Sequence, residues 1–328
     1  MEANVAKQLV ADTGRVLLGK GLVARTWGNI SARVDKNHFA ISPSGLGYEN
    51  MDGSDVPVYD YESETYEGSR KPSSEKKIHA EAYKHFEDVN FVIHTHQDYA
   101  TVMGLLGTDK LVLTDEEKRI LGNVETAGYG LPGTGKLKKN VVKCYEKGSK
   151  VVLMIHHGAV ILGSSMEDAL AKAELLENVC KRTVTNILSK DKNLEPTEEL
   201  SKEMKASCEN LVLVTDSNIL NCAERGPVKA SLDDIAQMLG HKLRVVENDD
   251  AKILKALNKQ DAVLVKNLGC LILTEEKDDA DALSLLVKKA AMAERCSKLI
   301  SIKKNLSVFD CELMRVVYKK KYSKKKAG

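Results

Sequence analysis

An internal echo constrains the fold more than any other feature of the sequence. The segment VVLMIHHGAVILGSSMEDALA begins at Val151, and AVLVKNLGCLILTEEKDDADA begins at Ala262. They align without a gap, with Gly269 and Asp279 each lying 111 residues beyond Gly158 and Asp168. Each reads as strand, glycine, strand, short acidic turn and helix, so the second half reads as a shortened copy of the first. The first copy carries His156-His157 before its glycine, and the second has Asn267-Leu268. Chemistry that rests on those histidines is confined to the first copy.

The rest of the chain is organised around these segments. Val5, Leu9, Thr13, Val16 and Leu17 recur at helical spacing, and Gly19 and Gly21 stop that helix. Alternation over residues 28–34 and 38–41, with a turn at 42–45, predicts a pair of antiparallel strands. A helix over 74–86, a β-rich run over 89–93, a buried strand over 150–155 and a long amphipathic helix over 166–188 follow. Residues 189–204, SKDKNLEPTEELSKEM, are charged and poor in apolar residues, and they mark the boundary between two domains. Apolar patterning resumes at 211–214.

Composition removes several classes of function. With 49 Lys and Arg against 47 Asp and Glu, there is no basic excess of the kind a polyanion binder needs. An aromatic content of 5%, with one Trp, leaves few platforms on which bases could stack. No run approaches the ~20 apolar residues that cross a bilayer, and the first residues lack the apolar centre of a signal peptide. The 7 cysteines are scattered without a CxxC, as expected of small hydrophobes in a reducing compartment. These readings predict a cytoplasmic protein with no nucleic-acid or membrane partner. The terminal KKKYSKKKAG reads as a solvated basic tail.

The residues that can carry chemistry are histidines at strand ends. His94 and His96 follow an apolar strand, and side chains at i and i+2 of an extended segment point to one side. His157 ends another strand and precedes Gly158, where the lack of a side chain permits a close approach. Three imidazoles without cysteine suit Zn²⁺ with an open fourth position, the pattern of a catalytic site. The plainer alternative is that these histidines cap strands by hydrogen bonding, but four of the chain's 8 histidines fall in two tight pairs after strands. Beside them, Pro72-Ser73-Ser74-Glu75 opens a helix with Ser73 or Ser74 as N-cap, a geometry that also binds phosphate. Glu75 there either complements the helix dipole or, near a cation, ligates it and moves protons. The run Gly130 to Lys136 satisfies GxxxxGK, but Leu137 replaces the metal-binding hydroxyl and Pro132 lacks an N–H, so it is not read as a nucleotide site.

Taken in order, Thr26-Trp-Gly-Asn-Ile-Ser31, Ser42-Pro-Ser-Gly45, Ser73-Ser-Glu75, His94-Thr-His96, Tyr129 ahead of Pro132-Gly-Thr134, and His156-His-Gly158 resemble the class II aldolase/adducin family, in its L-fuculose-1-phosphate aldolase-like branch. The resemblance, which covers residues 1 to about 190, implies an α/β fold, a three-layer α-β-α arrangement with a mostly antiparallel central sheet. The second half departs from the family, and the internal echo adds a smaller related α/β second domain. Together they give a catalytic domain over 1–190, a charged linker over 191–204, a degenerate repeat over 205–308, and a C-terminal segment with the basic tail over 309–328. By position, His94, His96 and His157 match the metal ligands, and Zn²⁺ is the implied cofactor, with another divalent transition metal as the alternative. Glu75 and Tyr129 match the catalytic pair. Thr26, Gly28, Asn29, Ser44, Gly45, Ser73 and Ser74 fall on positions that hold the substrate phosphate. The implied activity is reversible cleavage of a ketose 1-phosphate, a small sugar phosphate, by a homo-oligomer. Within the same family the alternatives are 4-epimerisation of a pentulose 5-phosphate, whose branch carries Asp in place of Glu75, and a non-catalytic adducin-like interaction protein.

Overall fold

The first helix, α1 (Ala3–Gly19), turns Ala6, Val10, Ala11, Thr13, Gly14 and Leu17 inward. Of the stripe read from the sequence, Thr13 and Leu17 are buried as expected, whereas Val5 and Val16 are exposed. Close packing explains the difference. A Cβ on Gly14 would sit 2.5 Å from a ring carbon of the buried Tyr48, so small residues with little hydrophobic signal form the contact. The computed structural model describes residues 1–208, 210–302 and 304–326. The chain divides into two compact units, Met1–Thr183 and Val184–Gly328.

In unit 1, α1 is followed by β1 (Asn29–Arg33), β2 (His38–Ile41), β3 (Val58–Asp60), β4 (Thr65–Glu67), α2 (Lys76–His85), β5 (Phe91–Thr95), α3 (Asp98–Leu106) and α4 (Asp115–Leu121). Then come β6 (Val124–Ala127), α5 (Gly135–Tyr145), β7 (Val151–Met154), β8 (Gly158–Gly163) and α6 (Met166–Leu188). The strands form one sheet in the order β4-β3-β2-β1-β5-β8-β7-β6. All neighbours are antiparallel except β6 and β7, which run parallel because α5 carries the chain back between them. On one face, Ile78, Ala82 and Tyr83 of α2 and Leu137, Val141 and Cys144 of α5 close over Phe39, Ile41, Val92, Val152, Met154, Val160 and Leu162. Helix α1 packs on β1 and β2, and α3 on β7 and β8, outside that cluster. This is the α/β fold with a mostly antiparallel sheet that the sequence implies.

Unit 2 contains α7 (Lys202–Ser207), β9 (Leu211–Val214), α8 (Ser217–Arg225), β10 (Val228–Lys229), α9 (Asp233–Leu239), β11 (Lys242–Val246), α10 (Asp250–Leu257), β12 (Ala262–Val265), β13 (Gly269–Leu273), α11 (Lys277–Leu299) and α12 (Val308–Lys326). Its sheet runs β10-β11-β12-β13-β9. Strand β12 and helix α11 have the bounds of β7 and α6 displaced by 111 residues. The pairings match as well: β11–β12 is parallel like β6–β7, β12–β13 antiparallel like β7–β8, and β13–β9 antiparallel like β8–β5. Even the turn agrees, since His156 and Asn267 both have positive φ, 71° and 59°.

Two stretches read from charge alone behave differently in the fold. Asp191, in the segment read as a linker, pairs with Arg225 at 2.9 Å and with the buried Arg295 at 3.0 Å. Further along the same segment, Leu200 and Met204 enter a core cluster with Ile253, Val263 and Leu271. The basic end is helical through Lys326, and residues 327–328 lie outside the described residues. The seven cysteines form no disulfide. Among the described residues, no helix is long and apolar enough to cross a membrane.

Packing at the glycines gives a direct check of this arrangement. A Cβ on Gly158 would collide with the Thr95 carbonyl oxygen, whereas Gly19 at the end of α1 has nothing within 4 Å. Gly158→Ala should therefore destabilise the protein by about 1–3 kcal/mol, while Gly19→Ala should be neutral or gain up to about 1 kcal/mol. Denaturant titrations of the two variants make the comparison.

Candidate metal centre

Three loops at one end of the unit 1 sheet bring the site together. His94 lies in β5 and His96 just beyond it, so both imidazoles leave on one side. His157 stands in the tight turn from β7 to β8, where its N–H bonds to the Met154 carbonyl at 3.1 Å. Strand β8 runs beside β5 with Thr95 opposite Ala159, and this carries the turn to the histidine pair. The lack of a side chain on Gly158 lets the two backbones meet, as the sequence implies. The result is a buried cluster in which the ligand atoms of His94, His96 and His157 all lie within 4.8 Å of one another. The ring centroids are 4.8–4.9 Å apart.

Glu75 closes the cluster. Its Oε2 is 3.1 Å from His94 Nε2, and its Oε1 is 3.1 Å from His157 Nε2. The sequence predicts a helix beginning near Ser74 with a serine cap. In the structure Glu75 itself occupies the N-cap of α2 and makes no side-chain cap bond, because its carboxylate is turned to the imidazoles. Burial would raise its carboxyl, but the charges and hydrogen bonds of His157 and His94 outweigh burial and hold it well below the usual carboxylate range.

These donors fit a divalent cation. His94 Nδ1 donates to the Ala159 carbonyl at 2.8 Å, which leaves Nε2 as the ring nitrogen that faces the cluster. The Nε2 atoms of His94 and His96 are 3.0 Å apart, too close for two ring nitrogens that share no proton or ion. A tetrahedral zinc with ligands at about 2.0–2.1 Å has ligand–ligand edges of about 3.3–3.4 Å. The 3.0 and 3.1 Å separations here are close to such edges.

Several of the other residues singled out from sequence lie on loops tied to one another. Ser44 N–H bonds to the Lys71 carbonyl at 2.8 Å, and Ser73 N–H to the Ser42 carbonyl at 3.2 Å. Ser42 also accepts from the Ile30 N–H, which ties the Ser42–Gly45 loop to β1. Ser44 and Ser74 are exposed on these loops, Thr26 is exposed on the separate loop before β1, and Ser73 is buried with its Oγ accepting from the Glu75 N–H. Gly28, at φ 80°, lies so close to the His94 carbonyl that a Cβ would collide with it. Gly45 also has positive φ, 78°. Asn29 turns its amide inward, donating to Glu75 Oε2 at 3.0 Å. A Cβ on Gly133, in the GxxxxGK run, would lie 3.5 Å from Ser74. Tyr129 packs edge-on against His156, with centroids 5.0 Å apart.

Sequence reading passed over His79 and Tyr83 and gave Ser31 no role of its own. His79 is fully buried and bonds to Asn29 through Nε2 and to Ser31 through Nδ1. Burial, together with the charge of His94, pushes its pKa down to about 3, so it is neutral. The available signal was the spacing of Glu75, His79 and Tyr83, four residues apart along one face of a helix.

Comparison with known proteins agrees with this architecture. The family model described as Class II Aldolase and Adducin N-terminal domain matches residues 8–184. The chain is 32% identical over 177 residues to an L-fuculose phosphate aldolase of Methanocaldococcus jannaschii, covering 54% of this chain and 94% of that protein. It is 33% identical to a 5-deoxy-D-ribulose 1-phosphate aldolase of Bacillus thuringiensis, covering 52% of this chain and 80% of that protein. A solved L-fuculose 1-phosphate aldolase structure superposes with a TM-score of 0.52 at 29% identity, over 58% of this chain and 91% of its own. With more than half of its length matched, through the unit that holds the histidine cluster, the chain belongs to the class II aldolase and adducin family.

Proposed function

We propose that this chain is a zinc-dependent aldolase that reversibly cleaves a ketose 1-phosphate into dihydroxyacetone phosphate and an aldehyde, working as a cytoplasmic homo-oligomer. One observation carries the reading: Glu75 sits 3.1 Å from two of three clustered imidazoles. His94, His96 and His157 would hold the cation, which when bound supplies Lewis-acid stabilisation of the negative charge left on the substrate as its C3–C4 bond breaks. In the synthetic direction the ionised Glu75 carboxylate removes a proton from C3 and the Tyr129 hydroxyl gives one to the aldehyde oxygen, which becomes the C4 hydroxyl. In cleavage both transfers reverse, Tyr129 regaining its proton from the C4 hydroxyl and Glu75 returning its own to C3. The loops bearing Thr26, Gly28, Ser44, Gly45, Ser73 and Ser74 hold the phosphate and so fix C3 beside Glu75. Asn29, the first residue of β1, steadies Glu75 through its amide.

Unit 2 is, on this reading, a catalytically silent copy. Val214 pairs with Cys270 as Thr95 pairs with Ala159, and Cys270 lies 111 residues beyond Ala159. Leu213, Thr215 and Leu268 therefore stand where unit 1 has His94, His96 and His157, and Thr215 bonds to the Leu268 carbonyl at 2.8 Å. None of the three offers an imidazole.

A panel of ketose 1-phosphates, beginning with L-fuculose 1-phosphate and 5-deoxy-D-ribulose 1-phosphate and coupled to detection of dihydroxyacetone phosphate, tests the activity. Turnover on at least one member is expected, and it should be abolished by chelation and restored by zinc. Silence across the panel with a metal-loaded protein would remove the aldolase reading. Glu75→Gln should keep the metal and lose roughly 10²–10⁴-fold in kcat, whereas His157→Ala should lose both metal and turnover. Elemental analysis alongside steady-state kinetics separates the two outcomes.

A further inference from the structure

A polar seam joins β1 to α2 beneath the metal centre. Asn29 and Ser31 project from one side of β1, two residues apart, and Glu75, His79 and Tyr83 follow each other at four-residue steps along α2. Two strand residues rise about 6.6–6.8 Å and four helix residues about 6 Å, so the two rows stay nearly in step. Tyr83 Oη is 2.7 Å from Ser31 Oγ, and Ser31 Oγ is 2.7 Å from His79 Nδ1. His79 Nε2 meets Asn29 Oδ1, and Asn29 Nδ2 meets Glu75 Oε2 at 3.0 Å. All five side chains are buried.

The direction of every bond follows from the amide of Asn29, whose nitrogen meets Glu75 Oε2 and whose oxygen meets His79 Nε2. An amide oxygen only accepts, so His79 carries its proton on Nε2. The neutral ring then accepts at Nδ1 from Ser31, whose oxygen accepts from Tyr83. Every donor in the seam points toward Glu75.

The geometry points to His79 as a positioning residue that orients the Glu75 carboxylate through Asn29, at the end of a one-way chain running from Tyr83 through Ser31. This deepens the proposed function and rests on it for the role of Glu75. Without a donor at the Nε2 position, the Asn29 amide loses what fixes its orientation. Turned over, it would set its oxygen against the carboxylate. His79 touches neither the histidine cluster nor the exposed phosphate loops, so its effect belongs to the chemical step and not to binding.

The test uses the full-length, zinc-loaded enzyme. His79→Leu should lower kcat roughly 10- to 100-fold, with KM and metal content little changed. His79→Gln, which offers an acceptor and a donor in nearly the same places, should recover kcat to within about fivefold of wild type. Equal kcat in both variants, or a loss confined to KM, would overturn the proposal. A second readout needs neither substrate nor variant: in ¹⁵N-histidine NMR of the wild-type protein, His79 should be the neutral Nε2–H tautomer. The Nδ1–H tautomer would reverse the chain and overturn the proposal even if the enzyme is active. Should wild type turn over no sugar phosphate, the aldolase reading fails, and the tautomer alone decides whether the chain to Glu75 exists.

Discussion

The structure depends on keeping one carboxylate ionised inside a protein. An isolated charge in a low-dielectric interior costs many kcal/mol, and it persists only where partners surround it. Glu75 has His94 and His157 on one side and the amide of Asn29 on another. Each partner comes from a different part of the sheet: β5, the β7–β8 turn and the start of β1. The strand order β1-β5-β8-β7 is what makes these three places neighbours. A sheet with the same strands in another order would leave the carboxylate either exposed or unpaired.

The same constraint accounts for local features that otherwise look like faults. Helix α2 lacks a side-chain cap at Glu75 because that side chain is engaged elsewhere. His156 takes a left-handed backbone at the turn that presents His157. Gly28 and Gly158 are bare where backbones must touch beside the ligands. In unit 2 the equivalent turn survives, with Asn267 in the left-handed region and Gly269 close to Val214 and Thr215, although no imidazole remains. The frame of the turn can therefore be kept without the chemistry.

Much of this was legible in the sequence because it obeys short-range periodicity. The placing of His94 and His96 on one side follows from strand geometry, and the bounds of α6 follow from its amphipathic pattern. The phase of α1 was only partly legible: Thr13 and Leu17 face inward as read, but Gly14, which packs where a Cβ would meet Tyr48, carries no hydrophobic signal. The His79 seam was half legible. Its helical row is plain in the spacing of Glu75, His79 and Tyr83, but its strand row lies 46–52 residues away, and only the fold shows that β1 runs under α2. The charged stretch 191–204 reads as a linker because pattern alone does not reveal the pairing of Asp191 with Arg295, 104 residues distant.

The central claim is that three imidazoles share one ion in unit 1. X-ray absorption spectroscopy at the zinc edge of the purified protein addresses it most directly. The account predicts about one zinc per chain in a sulfur-free shell, dominated by imidazole nitrogens at about 2.0–2.1 Å. A shell containing cysteine sulfur, or spectra without imidazole scattering, would contradict it.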